Sequence, residues 1–442
     1  MPNHNNRWSR RNILKLLGAG GVATLAGTAG LPFGRAFAQD APPAEDITAT
    51  LDIFDFGGDP VKKAYGEAIA RFNTRYPNVT VNDNYFPVVN GDWAQYINQF
   101  RTRIASGLNT DILAMAIEGA RLTIVQNLVL PIDDFIAEDP EAQTILEDIH
   151  PVLHDALKYQ DTTYYMTREW NNMIIHYNTQ LFEEAGLERP ATDWTWDDFL
   201  ETAQALTKGE GSNKVYGFGI PFFNFGLTPW WYTNGTSILT PDWSASNLDD
   251  PKMLESVKFV HALVHEHGVS PSVEGADPYN LFSAGRVAMT AGGRWPLETY
   301  LAGDFTTMDI QNWPRKESGT TVFGSGGWAI SKSSQNAALA WELIKELSAF
   351  ETNAAIAGIG AAIPAMESAT QIDAYQALPE HADLFYASLQ DAQPVPAPAN
   401  FTEVQAIFMR HMTSILSNAV TPEQGLEMAH QELSQAMSQL TA

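Results

Sequence analysis

Apolar and polar positions alternate through Leu51-Asp52-Ile53-Phe54-Asp55-Phe56, the period of two that a strand imposes on its two faces. Gly57-Gly58-Asp59-Pro60 interrupts that rhythm, and the period then lengthens. Tyr65, Ile69 and Phe72 share one face of a helix predicted over Val61–Tyr76. Val79-Thr80-Val81 reads as a second strand, Trp93–Ile104 as a second helix and Asp111–Met115 as a third strand. Strand, helix, strand, helix, strand predicts an α/β unit with a largely parallel sheet.

The alternation resumes after Tyr164-Tyr165-Met166-Thr167 with the apolar strand Met173-Ile174-Ile175-His176-Tyr177. Thr195 followed by Asp198 is a capping-box-like pair, and Trp196, Phe199, Leu200, Ala203 and Leu206 then recur at helical spacing until Gly209. Another helix is predicted from Asp250 to His267, and Ser334 is placed to cap a helix carrying Trp341 and Leu347. Thr421-Pro422-Glu423-Gln424 opens the last one, whose buried stripe is Leu426, Ala429, Leu433, Met437 and Leu440. Pro394-Val395-Pro396-Ala397-Pro398 reads as a stiff connector near a surface groove. No internal repeat is present.

The N-terminus follows a different pattern. Arg10-Arg11 precedes Ile13-Leu14-Lys15 and a weakly apolar run to Phe33, and Ala36-Phe37-Ala38 offers a cleavage step before Gln39. This order reads as an export signal over residues 1–38, and the arginine pair resembles the twin-arginine type. Glycines and threonines break the run, against a spanning helix. Export places the mature chain in the periplasm.

Composition narrows the picture. Removing 38 of 442 residues leaves 404, too many for one compact core, so two lobes are expected. The net charge of −26 becomes −31 without the leader's five cations, Arg7, Arg10, Arg11, Lys15 and Arg35. Such a surface repels nucleic acid and anionic lipid and favours neutral or cationic ligands. With no cysteine, disulfides, iron–sulfur clusters, thiolate zinc sites, a Cys nucleophile and a lipidated Cys anchor are excluded. No second stretch reaches transmembrane length, so no membrane insertion of the mature chain is expected. His261 and His265 have metal-like spacing without a third ligand, and Gly324-Ser325-Gly326-Gly327-Trp328-Ala329 mimics a dinucleotide loop but runs on as a strand. No cofactor or metal is expected.

Several segments resemble the extracellular solute-binding proteins that deliver sugars to ABC transporters. Phe282-Ser283-Ala284-Gly285-Arg286-Val287-Ala288-Met289 with Gly292-Gly293-Arg294-Trp295 is similar to the family's F-x-x-G-x-x-A-M…G-x-W signature. Tyr177-Asn178-Thr179-Gln180-Leu181-Phe182 with Ala185-Gly186 and Trp194-Thr195-Trp196, and Gly326-Gly327-Trp328 with Ala340-Trp341, resemble two further blocks. Ser106-Gly107 with Asp111-Ile112 stands in for a fourth, with Thr110 where proline is usual. The resemblance implies an α/β periplasmic-binding-protein type II fold, two lobes joined by a hinge with the ligand between them. One lobe would be 39–164 plus 317–362 and the other 165–316 plus 363–442. It implies a monomeric, non-enzymatic component of an ABC importer that captures a carbohydrate and hands it to the permease's transmembrane subunits. Two alternatives remain open at this point: the same fold binding a polyamine or a sugar acid or phosphate, and a secreted carbohydrate-active enzyme.

A sugar needs an aromatic plate for its C–H face and charged or planar partners for its hydroxyls. Trp295 stands where the family resemblance puts a stacking ring. Trp328 and Gly327 lie in a glycine-flanked segment that would let a sugar approach the backbone. One of Trp230 or Trp231 is expected in the cleft, and Trp93 is a further candidate plate; Trp196 and Trp341 lie on core stripes. Glu118 follows a strand's C-terminal end, where open α/β sheets place ligands. Asp59 sits in the first glycine-broken loop. Arg168, Glu169, Trp170 and Asn171 cluster at the first expected hinge crossing, suited to a polyol or to an interlobe ion pair. Arg294 can donate to vicinal hydroxyls or a carboxylate.

Overall fold

The computed structural model describes residues 44–86, 88 and 93–439. The export signal read over residues 1–38, and Leu440, lie outside the described residues. The strands are β1 (Ala49–Asp55), β2 (Val79–Tyr85), β3 (Ile112–Ala116), β4 (Lys158–Tyr159), β5 (Thr162–Thr163), β6 (Met166–Asn172) and β7 (Ile174–Asn178). They continue with β8 (Tyr216–Phe218), β9 (Val287–Gly292), β10 (Met308–Gln311), β11 (Thr321–Ile330), β12 (Ile363–Pro364) and β13 (Ala392–Pro394).

Two sheets organise two α/β lobes. The larger runs β12-β6-β11-β3-β1-β2, with β13 added to β11, and the smaller runs β10-β7-β9-β8. The expected parallel pairing holds for β1 with β2 and with β3. It ends at β11, which lies antiparallel to both β3 and β6. The sheet is mixed because β11 and β6 enter from the far side of the chain, which no local period records. Only Met173 separates β6 in the large sheet from β7 in the small one. The sequence boundary at 164/165 therefore precedes β6, and the backbone passes between sheets at Met173.

Local signals set the helix ends. The first long helix spans Asp59–Arg75 and begins earlier than predicted, because Pro60 occupies its first turn, where a missing N–H costs nothing. Thr195 and Thr421 both complete capping boxes, with Asp198 and Gln424 respectively. Ser334 does not cap its helix, which starts at Ala337 behind Asn336. Its hydroxyl instead donates to Asp111 Oδ1 at 2.5 Å, and Asp111 also accepts from the Asp52 amide. That carboxylate ties β1, the start of β3 and the end of β11 together.

The C-terminal helices Phe401–Leu416 and Pro422–Ser438 pack on each other and on the helix Pro251–His265, and the first also reaches the helix Ile117–Val125. Their apolar stripes, Val404, Phe408, Met412 and Ile415 in one and Leu426, Ala429, Leu433 and Met437 in the other, are buried in one continuous core.

Candidate functional site

The site begins with an irregularity in a strand. Along β11, Gly324 pairs with Asn171 and Gly326 with Glu169, but Gly327 pairs with Thr167. Arg168 is thus the extra residue of a β-bulge, and the bulge turns it and Glu169 toward the same side. The Arg168 Nε lies 2.6 Å from Glu169 Oε2, and its Nη1 donates to Asp55 Oδ1 at 2.7 Å. Nε also donates to the Tyr65 hydroxyl at 2.6 Å, and Nη2 to the Phe56 carbonyl at 3.0 Å. The guanidinium lies over the rings of Phe56, Tyr65 and Trp328, 4.2 to 4.6 Å from their centroids. Arg168 is therefore a buried post that holds β1, the helix Asp59–Arg75 and β6 in one arrangement, with its charge met by two carboxylates.

Above this post lie the acids. Glu169 accepts from the Tyr65 hydroxyl at 3.2 Å, and its Oε1 would lie 3.1 Å from a Cβ on Gly326. Glu118 comes from the first turn of the helix Ile117–Val125, directly after β3. A Cβ on Gly324 would meet Glu118 Oε1 at 3.9 Å and Phe225 Cε2 at 3.3 Å. Strand alternation puts Gly324 and Gly326 on one face of β11, so two carboxylates converge on a backbone stripped of side chains. Both acids are nine-tenths buried, and Glu118 Oε2 has no hydrogen-bond partner among the described residues. Burial pushes both carboxyls up to about 7; for Glu169 the Arg168 charge opposes that rise, while for Glu118 no neighbouring cation does.

The second lobe brings the aromatic surface. Asn171 Oδ1 accepts from the Arg294 amide at 3.0 Å, which joins β6 to the turn after β9. A Cβ on Gly293 would lie 2.5 Å from that oxygen and 2.4 Å from the Trp295 ring, so only glycine permits this turn. Trp295, half-buried, is ringed by Phe223, Tyr279 and Phe225, with centroids 6.3, 6.3 and 6.4 Å away. On the first lobe, Phe56 stands edge-on to Trp93 at 5.0 Å. Gly58 faces Glu298 of the second lobe, whose Oε1 would lie 3.5 Å from a Cβ there.

Of the ten candidates read from the sequence, Trp295, Glu118, Glu169 and Asn171 are brought together, and Trp93 and exposed Asp59 flank them on the first lobe. Four lie in packed interior. Trp328 shares the face of Gly324 and Gly326 but is roofed by Arg168 and by Tyr65, T-shaped at 5.1 Å, and has no exposed surface. Gly327 points the other way: a Cβ would meet Tyr165 at 2.7 Å and the Met166 carbonyl at 3.0 Å, so its bareness serves close packing. Trp231 is fully buried against Phe408 of the C-terminal helices, and Trp230 is fully buried as well. Arg294 turns away from the cleft, stacks on Tyr375 at 3.8 Å and donates to the Tyr375 carbonyl at 3.1 Å. Sequence reasoning passed over Phe223, Phe225, Tyr279, Phe56 and Glu298. The glycine-flanked aromatic run Phe222-Phe223-Asn224-Phe225-Gly226 was the available signal for the first two.

Two α/β lobes with crossings between their sheets, and a shared face of aromatic rings and buried acids, define a two-lobed binding protein of the periplasmic type II class. Solved structures share this architecture. An ABC substrate-binding protein of Listeria monocytogenes in complex with cycloalternan superposes with a TM-score of 0.79 at 23% identity, covering 88% of this chain and 99% of its own. A solute-binding protein of Thermotoga lettingae bound with α-D-tagatose gives 0.76 at 21% identity, covering 88% and 100%. A protein of Brucella abortus named as a binding protein is 24% identical over 384 residues, 84% of this chain and 87% of the relative. Residues 58–351 match the family described as bacterial extracellular solute-binding protein, and the chain belongs to that family. Among the described residues no helix is long and apolar enough to cross a membrane.

Proposed function

We propose that this chain is the periplasmic substrate-binding component of an ABC importer, which captures a sugar or oligosaccharide between its lobes and delivers it unchanged to the membrane permease. The observation that carries this reading is Trp295, a partly open plate set beside two buried carboxylates on a glycine-lined strand. A pyranose stacks its C–H face on such a ring and donates its hydroxyls to such acids. The carbohydrate ligands of the Listeria and Thermotoga structures support the same class. Hinge bending about the Met173 crossing and its partners would close the trap over ligand, with one lobe organised by the larger sheet and the other by the smaller. The chain acts as an exported monomer without cofactor or catalysis, since positioning hydroxyls for release needs no bond broken.

The test is a thermal-shift screen of mono- and oligosaccharides, sugar acids and polyamines on the mature chain. A cognate sugar at a hundredfold its Kd stabilises by about 2.7 kcal/mol, and the recovered sugar is intact. Stabilisation by polyamines alone, or new reducing ends in the recovered sugar, contradicts the proposal.

A further inference from the structure

On the other side of β11 from Gly324 lies a cavity of about 350 Å³, within the size range of small-molecule sites. Phe323, the neighbour of Gly324, faces it, as alternation along the strand requires. Its walls are mainly apolar, with Ile124 of the helix Ile117–Val125 and Leu157 beside Phe323. Two aromatic rings stand at it, Tyr159 on β4 and Trp243 from the turn before the helix Pro251–His265. Between them is Arg121, its guanidinium 5.3 Å from the Tyr159 ring and 4.9 Å from the Trp243 ring.

Two features set this place apart from ordinary packing. Arg121 lies on a helix wall otherwise made of Ile117, Ala120 and Ile124, with neither hydrogen bond nor ion pair to any described residue, whereas the cavity's other cation, Lys158, is paired at 2.7 Å with Asp155, the carboxylate that also lines the cavity. A guanidinium lying over two rings with its planar donors unpaired is a preorganised fork for an anion. Trp243 is also held at φ +59°, a left-handed conformation that a bulky residue adopts only at a cost and that is typically retained where a side chain must be aimed. The apolar body of a ligand would sit against Phe323, Ile124 and Leu157, and its charge would meet Arg121.

We propose that this cavity is a second binding site, separate from the interlobe cleft, for a small amphipathic carboxylate with an aromatic or branched apolar body. The probes are phenylacetate, indole-3-acetate and 4-methylvalerate, each measured by calorimetry beside its neutral amide. At least one acid binds with a Kd below about 1 mM, and its amide binds about tenfold or more weaker. R121Q removes that preference for the acid, and W243A weakens acid and amide alike. Soaked 4-bromophenylacetate gives an anomalous bromine peak between Arg121 and Phe323, a readout that depends on no variant. The proposal is overturned if none of the three acids binds at that level, if the amides match them, if R121Q binds the acid as the parent does, or if the bromine peak lies elsewhere.

Discussion

Glu118→Gln separates stability from recognition in the cleft. Burial raises the Glu118 carboxyl from 4.5 to about 7, with no neighbouring cation to oppose it. The folded chain therefore keeps a proton that the unfolded chain releases between those values. The stability tied to this group is complete below pH 4.5 and is lost as the pH climbs through about 7. Each pH unit of separation is worth roughly 1.4 kcal/mol, so the loss is bounded at roughly 3 to 4 kcal/mol. Glutamine has the same shape and no charge to bury. Urea melts at pH 5, 6, 7 and 8 should show the variant gaining on the parent progressively, with most of that gain reached by pH 8. At pH 8, where the Glu118 carboxyl is ionised, the variant should bind the cognate sugar roughly tenfold more weakly, since a neutral amide replaces a charged acceptor. Stability curves that stay parallel across this range, or a variant less stable at pH 8, would refute the reasoning that an unpaired buried acid is held here for ligand.

Further outcomes follow from where the aromatic rings and the bulged arginine lie. Trp295→Ala removes a half-open plate, and sugar binding should weaken by about 2 kcal/mol, roughly thirtyfold, while the melting temperature changes little; calorimetry and a thermal melt check both. Trp328→Ala should do the reverse at the level of stability, costing about 3–5 kcal/mol in a urea melt because a fully packed ring is lost. Arg168→Met leaves Asp55 and Glu169 buried without their cation. It should cost about 3–5 kcal/mol at pH 8, with the deficit shrinking toward pH 5 as the carboxyls take up protons.

Much of the fold was legible because its signals are local. The alternation in Leu51–Phe56, the helical stripe of Tyr65 and Phe72 and the two threonine capping boxes each need only a few neighbouring residues. Trp295 was singled out through the family resemblance, and the structure leaves its ring half-buried after Gly292-Gly293, where close approach to Asn171 forbids a side chain. Trp328 was misread for a reason no short window contains. It does sit on the cleft face, but Arg168, brought in by a bulge on a strand some 160 residues earlier in the chain, covers it. Trp231 and Arg294 follow the same rule: their burial depends on Phe408 and Tyr375, which reach them only once the chain has folded back. Residue type carried the chemistry of the site; tertiary packing decided which copies of that type reach solvent.

The central claim is that a carbohydrate lies between the lobes on the face shared by Trp295, Glu118 and Glu169. A crystal structure with the sugar that stabilises the chain most tests it directly. A pyranose ring stacked on Trp295, with hydroxyls donating to Glu118 and Glu169 beside Gly324 and Gly326, is the predicted result. A sugar bound elsewhere on the molecule, with those two carboxylates untouched, would contradict it.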